Sequence, residues 1–260
     1  MPSPLHELTM AMIFGSIAFL LHIIAYGLYT TGIFSGKHRP NAASWLMWLF
    51  GAWVEYKTYN SINAHYSTSA LPLACLFGVG IIFLSTVFAQ MWAWISETGK
   101  EIYEKSDPYD YLIVLWDAGA LVLFVYSGAA GWANFLAVAT TAFTFIPMWK
   151  TTYRRLDNER PLPWFIWSCA YLCMFVAVVA EGPKETFFEV FYPVFYFILH
   201  LPVGLLCFEG VRRWVRLHFL PWYYRARAWA STIPGVKHVL CTFRRKVFNP
   251  EVGMPTILFH

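Results

Sequence analysis

Seven stretches of this chain are apolar over lengths that match a lipid bilayer, and that property leaves few folds open. They cover about residues 8–33, 43–62, 70–95, 109–127, 132–153, 163–180 and 186–215. At 1.5 Å per helical residue, each crosses or nearly crosses ~30 Å of hydrocarbon. The composition agrees: 58% of residues are hydrophobic and 13% are charged, against roughly 25% charged in a soluble domain. The expected fold class is therefore all-α integral membrane, with seven transmembrane helices. Residues 1–7 carry no Lys or Arg, so the first stretch is expected to be a permanent span and not a cleaved signal.

The basic residues orient the spans. With the N-terminus outside, the inner loops hold Lys37, Arg39, Lys100, Lys105, Lys150, Arg154, Arg155 and Arg160, and nine more bases follow from Arg212 onward. Seventeen of the nineteen Lys and Arg then fall on the cytoplasmic side, with Lys184 outside and Lys57 within the second span. This follows the positive-inside rule and places the C-terminus in the cytoplasm.

Two words recur: Trp45-Leu46-Met47-Trp48 and Trp164-Phe165-Ile166-Trp167, 119 residues apart. Each follows a basic, proline-containing loop and opens an apolar stretch. The same shift superimposes the flanking stretches, 8–33 on the one ending near Arg154 and 70–95 on 189–214. This reads as an internal duplication. Three spans per unit is odd, so a fourth span restores the orientation of the second unit. The expectation is two parallel three-helix repeats, residues 1–95 and 129–215, joined by a loop and linker helix at 96–128. A basic, aromatic cytoplasmic tail, 216–260, completes the chain. Residues 212–233 interleave Arg with Trp214, Phe219, Trp222, Tyr223, Tyr224 and Trp229, a pattern suited to an interfacial helix. Such a helix anchors the chain to the bilayer or docks it onto a membrane partner; beside a membrane span, nucleic acid is not the expected partner.

A three-plus-one-plus-three layout with its N-terminus outside resembles the SWEET sugar transporters and the wider PQ-loop superfamily; bacterial nicotinamide riboside transporters share it. Pro147, Lys150, Thr151, Glu159 and Trp164 look like the Pro…Lys…Glu…Trp pattern of PQ-loop-like repeats in bacterial membrane proteins. Arg39-Pro40-Asn41 before Ser44-Trp45 looks like the matching segment of the first repeat. Pro147 is followed by Met148 instead of Gln, and position 28, its counterpart, is Leu. The resemblance spans about residues 8–214 and implies transport by alternating access.

Several residues are candidates for a solute site. Trp at i and i+3 shares a helix face, so Trp45 with Trp48 and Trp164 with Trp167 present either paired stacking faces for a ring-shaped solute or an interfacial aromatic belt. Trp48 and Trp167 lie one turn further in, nearer a midplane pocket. Glu55, a carboxylate within a span, costs roughly 2.5 kcal/mol or more unless paired or wetted; it is expected to line a cavity or take up a proton, while Lys57 snorkels outward. Asp117 in the fourth span is a coupling group or a polar clasp between helices. Pro147, Pro193 and Pro202 are hinges or static kinks. His22 and His200 are expected to act as polar glue before metal or haem ligands, and Cys169 and Cys173 as packing residues. No Lys in 186–215 offers a Schiff base.

No nucleophile–base pair, phosphate loop or metal signature is found, so neither an enzyme nor a cofactor is expected. The expected function is transport of a small polar or ring-shaped solute, by alternating access between the two repeats. The alternative is a non-transporting accessory or structural subunit of a larger membrane complex. A polar cavity between the second and sixth spans, faced by both Trp pairs, favours the first.

Overall fold

The structure is a computed structural model. It describes residues 4–38, 40, 42–62, 66–96, 108–154, 159–182 and 186–230. Residues 97–107 of the expected loop and the tail beyond residue 230 lie outside the described residues, as do Arg39, Asn41, Arg155 and Lys184. The backbone is described at Asp117 and Pro147, but their side chains lie outside the described set.

Among the described residues the chain is entirely helical, as expected. The elements are α1 (Pro4–Phe34), α2 (Ala42–Ser61), α3 (Tyr66–Ile95), α4 (Pro108–Ser127), α5 (Ala130–Arg154), α6 (Pro161–Glu181) and α7 (Thr186–Leu206). Then come a short α8 (Glu209–Trp214), a π-helical turn (Val215–Phe219) and α9 (Leu220–Ala230). Four helical segments are long and apolar enough to cross a membrane: Met10–Phe34, Thr68–Ile95, Pro161–Glu181 and Phe187–Leu206. Two shorter apolar segments, Ala118–Ser127 and Ala130–Ile146, accompany them. α2 falls in neither group, because Glu55, Lys57, Thr58 and Asn60 dilute its apolar character. The seventh helix is shorter than the expected 186–215. Its last turn tightens, with Cys207 N–H bonding to the Gly204 carbonyl and Phe208 N–H to Leu205, and the chain restarts as α8. Pro221 does not interrupt the tail. The π turn just before it absorbs the missing N–H, with Leu220 N–H reaching back to the Val215 carbonyl.

The chain divides into two compact units, Met1–Glu209 and Gly210–His260. Within the first, α3 packs against both α1 and α2, and α7 against both α5 and α6. α1 lies along α6, and α2 along α5; α4 packs on α5 and α2. The polarity is that of a protein in apolar surroundings. Large apolar side chains such as Ile17, Leu20, Ile24, Phe77, Leu84 and Phe88 face outward, while His22, Glu55, Thr58, Asn134 and Thr141 are buried. Such a surface is unstable against water and stable against lipid.

Small residues let the helices close. Ala11, Ala18 and Ala25 recur every seventh residue on the buried face of α1, and Ala170 and Ala177 do so on α6. Backbones approach closely along such stripes. Gly78 of α3 is a sharper case: a Cβ there would come 2.1 Å from the Tyr26 ring. Gly78→Ala is therefore expected to destabilise the fold by about 1–3 kcal/mol. Gly27→Ala, on the exposed side of α1 with nothing within 4 Å, is expected to stabilise it by up to about 0.5–1 kcal/mol. Thermal unfolding of the purified protein in detergent compares the two, and equal midpoints would refute this account of the α1–α3 contact.

Candidate functional site

α2 carries Trp45, Trp48, Ala52 and Glu55 at i, i+3, i+7 and i+10, which is one helix face. α6 carries Trp164, Trp167 and Tyr171 at i, i+3 and i+7. Both faces turn onto one internal cavity of about 40 Å³, which all seven residues line. Tyr26 of α1, Phe145 of α5 and Tyr196 of α7 extend its aromatic wall, and Cys75, Thr141 and His200 add polar edges. Four pairs of lining residues are separated by the same 119 residues: Tyr26 and Phe145, Trp45 and Trp164, Trp48 and Trp167, Ala52 and Tyr171.

Local sequence positions the second Trp pair. Pro161 and Pro163 sit in the first turn of α6, where the missing N–H costs nothing. Gly182 ends the helix at φ 75°, with its N–H bonded to the Val179 carbonyl. Trp45, Trp164 and Trp167 are buried, at 2%, 0% and 2% exposure; in this form they do not make a lipid-facing belt. Nor does either pair offer two parallel faces. The rings meet edge to face, with centroids 4.6 Å apart for Trp45–Trp48 and 5.1 Å for Trp164–Trp167. Trp48 instead stacks on Phe145, at 5.3 Å and 26°, and its indole N–H donates to the Thr144 hydroxyl. The stacking surfaces are filled by the protein's own rings.

Glu55 is buried, at 2% exposure. Its Oε1 accepts from the Tyr196 hydroxyl and lies 3.3 Å from the donating Thr141 hydroxyl. Nearby, Asn134 Nδ2 donates to Thr58 Oγ1 at 3.0 Å and to the Glu55 carbonyl at 3.4 Å. A carboxylate on α2 is thus met by hydroxyls of α5 and α7, which offset the cost of burying it. Lys57 lies on the exposed side of α2.

A second buried carboxylate, Glu159, lies just before α6. The Tyr29 hydroxyl donates to its Oε1 at 2.9 Å and Trp164 Nε1 to its Oε2 at 3.0 Å. His38 Nδ1 sits 3.2 Å from Oε2, too oblique for a hydrogen bond, with its ring stacked on Tyr29 at 4.2 Å. The turn after α1 explains this placement. Gly36, at φ 70°, folds the chain back so that the N–H groups of Lys37 and His38 both reach the Gly32 carbonyl. His38 then lies over Gly32, where a Cβ would come 1.9 Å from the imidazole. Sequence reasoning noted Glu159 only within a motif and passed over His38. Shifted by 119, they correspond to Pro40 and Asp157, so the duplication does not mark them. The signal available was a lone Glu five residues before a repeated Trp.

Trp45, Trp48, Trp164, Trp167 and Glu55 are brought together. No described residue of α4 lines the cavity, and α5 runs as one helix through position 147. His200 lines the cavity, with Nδ1 2.8 Å from the Tyr196 carbonyl oxygen. His22 is fully buried, its ring edge-on to Tyr171 at 4.8 Å. Among the described residues no group of three or more His, Cys, Asp or Glu is placed to hold a metal ion. No family model, curated protein or solved structure matches this chain.

Proposed function

We propose that the protein is a seven-helix membrane transporter for a small polar or ring-shaped solute. In this reading α1–α3 and α5–α7 are parallel repeats, α4 links them, the N-terminus is outside and the C-terminus cytoplasmic. The relationship to the SWEET and PQ-loop proteins belongs to the same proposal. The carrying observation is the cavity lined by both Trp pairs and Glu55. The packing order supports it: exchanging α1–α3 with α5–α7 turns the α1–α6 contact into α5–α2, and both pairs are in contact. α2, one of the two least apolar of these helices, keeps Glu55 and Thr58 buried inside the protein, where polar groups in a span are tolerated. At about 40 Å³ the cavity is far below the roughly 300–1,000 Å³ of a ligand site. The solute-bearing form is therefore wider, opened by rocking one repeat against the other.

Uptake into liposomes holding the purified chain alone tests this, with sugars, nucleosides and small amines as candidates. Trp48→Ala and Trp167→Ala are each expected to lower uptake about tenfold, since an aromatic pair contributes about 0.5–1.5 kcal/mol beyond its area. No uptake of any candidate would remove the transporter reading. A second reading, an accessory subunit, is favoured by the exposed Trp214, Phe219, Trp222 and Trp229; stable co-purification of a membrane partner in the absence of transport would support it.

A further inference from the structure

Of the fourteen described residues lining the cavity, eight are Trp, Tyr or Phe, and Glu55 is the one carboxylate among them. No Lys or Arg is among the described lining residues. The faces of aromatic rings carry negative charge density and attract cations, most strongly where water is excluded. A carboxylate at the same wall adds, when ionised, a negative charge in a medium that screens it poorly. Both features repel an anion. A neutral polyol fares little better, because several hydroxyls would lie against ring faces without a partner, each at the cost of an unmade hydrogen bond. Two donors at this wall await an acceptor: the indole N–H groups of Trp45 and Trp167 are buried with no hydrogen-bond partner.

We infer that the solute is a small organic cation, a quaternary or protonated amine that carries an oxygen acceptor. This rests on reading the cavity as a solute site. In the widened form the cationic head lies among the rings of Tyr26, Trp48, Trp167 and Tyr171, with Glu55 as its counter-charge. The oxygen accepts from Trp167 Nε1. In the compact form the hydroxyls of Tyr196 and Thr141 hold the carboxylate. They keep it oriented as the cavity widens.

Choline and its uncharged isostere 3,3-dimethylbutan-1-ol share shape and hydroxyl and differ in charge, so they isolate the claim. Calorimetric titration of the full-length protein in detergent is expected to show choline binding at least about tenfold tighter than the isostere and than glucose. Glu55→Gln is expected to weaken that preference, leaving only the part that the rings supply. Equal affinities on the wild-type protein overturn the inference without any variant, as does a preference undiminished in Glu55→Gln. Tighter binding and uptake of glucose overturns it while leaving the transporter reading in place. Choline binding without uptake into liposomes supports the cation site and removes the transporter reading. Binding of none of the three compounds overturns the inference.

Discussion

Replacing Glu159 by alanine is expected to destabilise the protein by about 2–6 kcal/mol, the cost of leaving two buried donors without an acceptor. The carboxylate is 4% exposed and accepts from two buried donors, Tyr29 Oη and Trp164 Nε1. Alanine leaves both donors dry, and each unsatisfied group costs about 1–3 kcal/mol. Glu159→Gln keeps one acceptor oxygen and is expected to lose less. The check is thermal unfolding in detergent, with the midpoints ordered wild type, Gln, Ala. A Gln variant as unstable as Ala would show that the charge matters and not the hydrogen bonds. The cluster ties the C-terminal end of α1 to the start of α6 and holds Trp164 in the cavity wall. Under the transport reading, loosening it opens the cavity from the cytoplasmic end.

Trp164→Ala is expected to cost a similar amount, about 3–5 kcal/mol, for a different reason. The side chain is 0% exposed and touches Tyr29, Phe145, Trp167 and His200. Its loss leaves a void that the stiff neighbouring rings do not fill, so transfer and cavity costs add. Trp164→Phe retains most of the packing and loses only the indole N–H to Glu159. A double-mutant cycle of Trp164→Phe with Glu159→Gln separates the terms, because contacting residues couple by about 0.5–3 kcal/mol. Strict additivity would refute the hydrogen bond as an energetic link between the cavity wall and the α1–α6 end.

The helices were legible in the sequence because apolar length is a local property. A run such as 70–95 needs only itself to announce a helix, and it appears as part of α3. Trp45, Trp48, Trp164 and Trp167 were legible because the duplication repeats them, and Glu55 because a carboxylate within a span is costly wherever it falls. The end of α7 was misjudged because the apolar pattern continues past Leu206 although the backbone tightens there. Tyr26, Tyr171 and Tyr196 were overlooked for another reason. A tyrosine in a span is unremarkable until its hydroxyl is known to meet something.

Sequence by itself determined the helical class, the membrane-like polarity and five of the residues that share the cavity. Tertiary structure alone decided what those residues do to one another. Tyr196 reaches Glu55 across 141 residues of chain, and Tyr29 reaches Glu159 across 130. Periodicity carries no trace of such contacts, because they depend on which helices pack side by side. Here packing set α1 along α6 and α2 along α5. It thereby turned two repeated Trp words into the wall of one small cavity with a buried carboxylate at its edge.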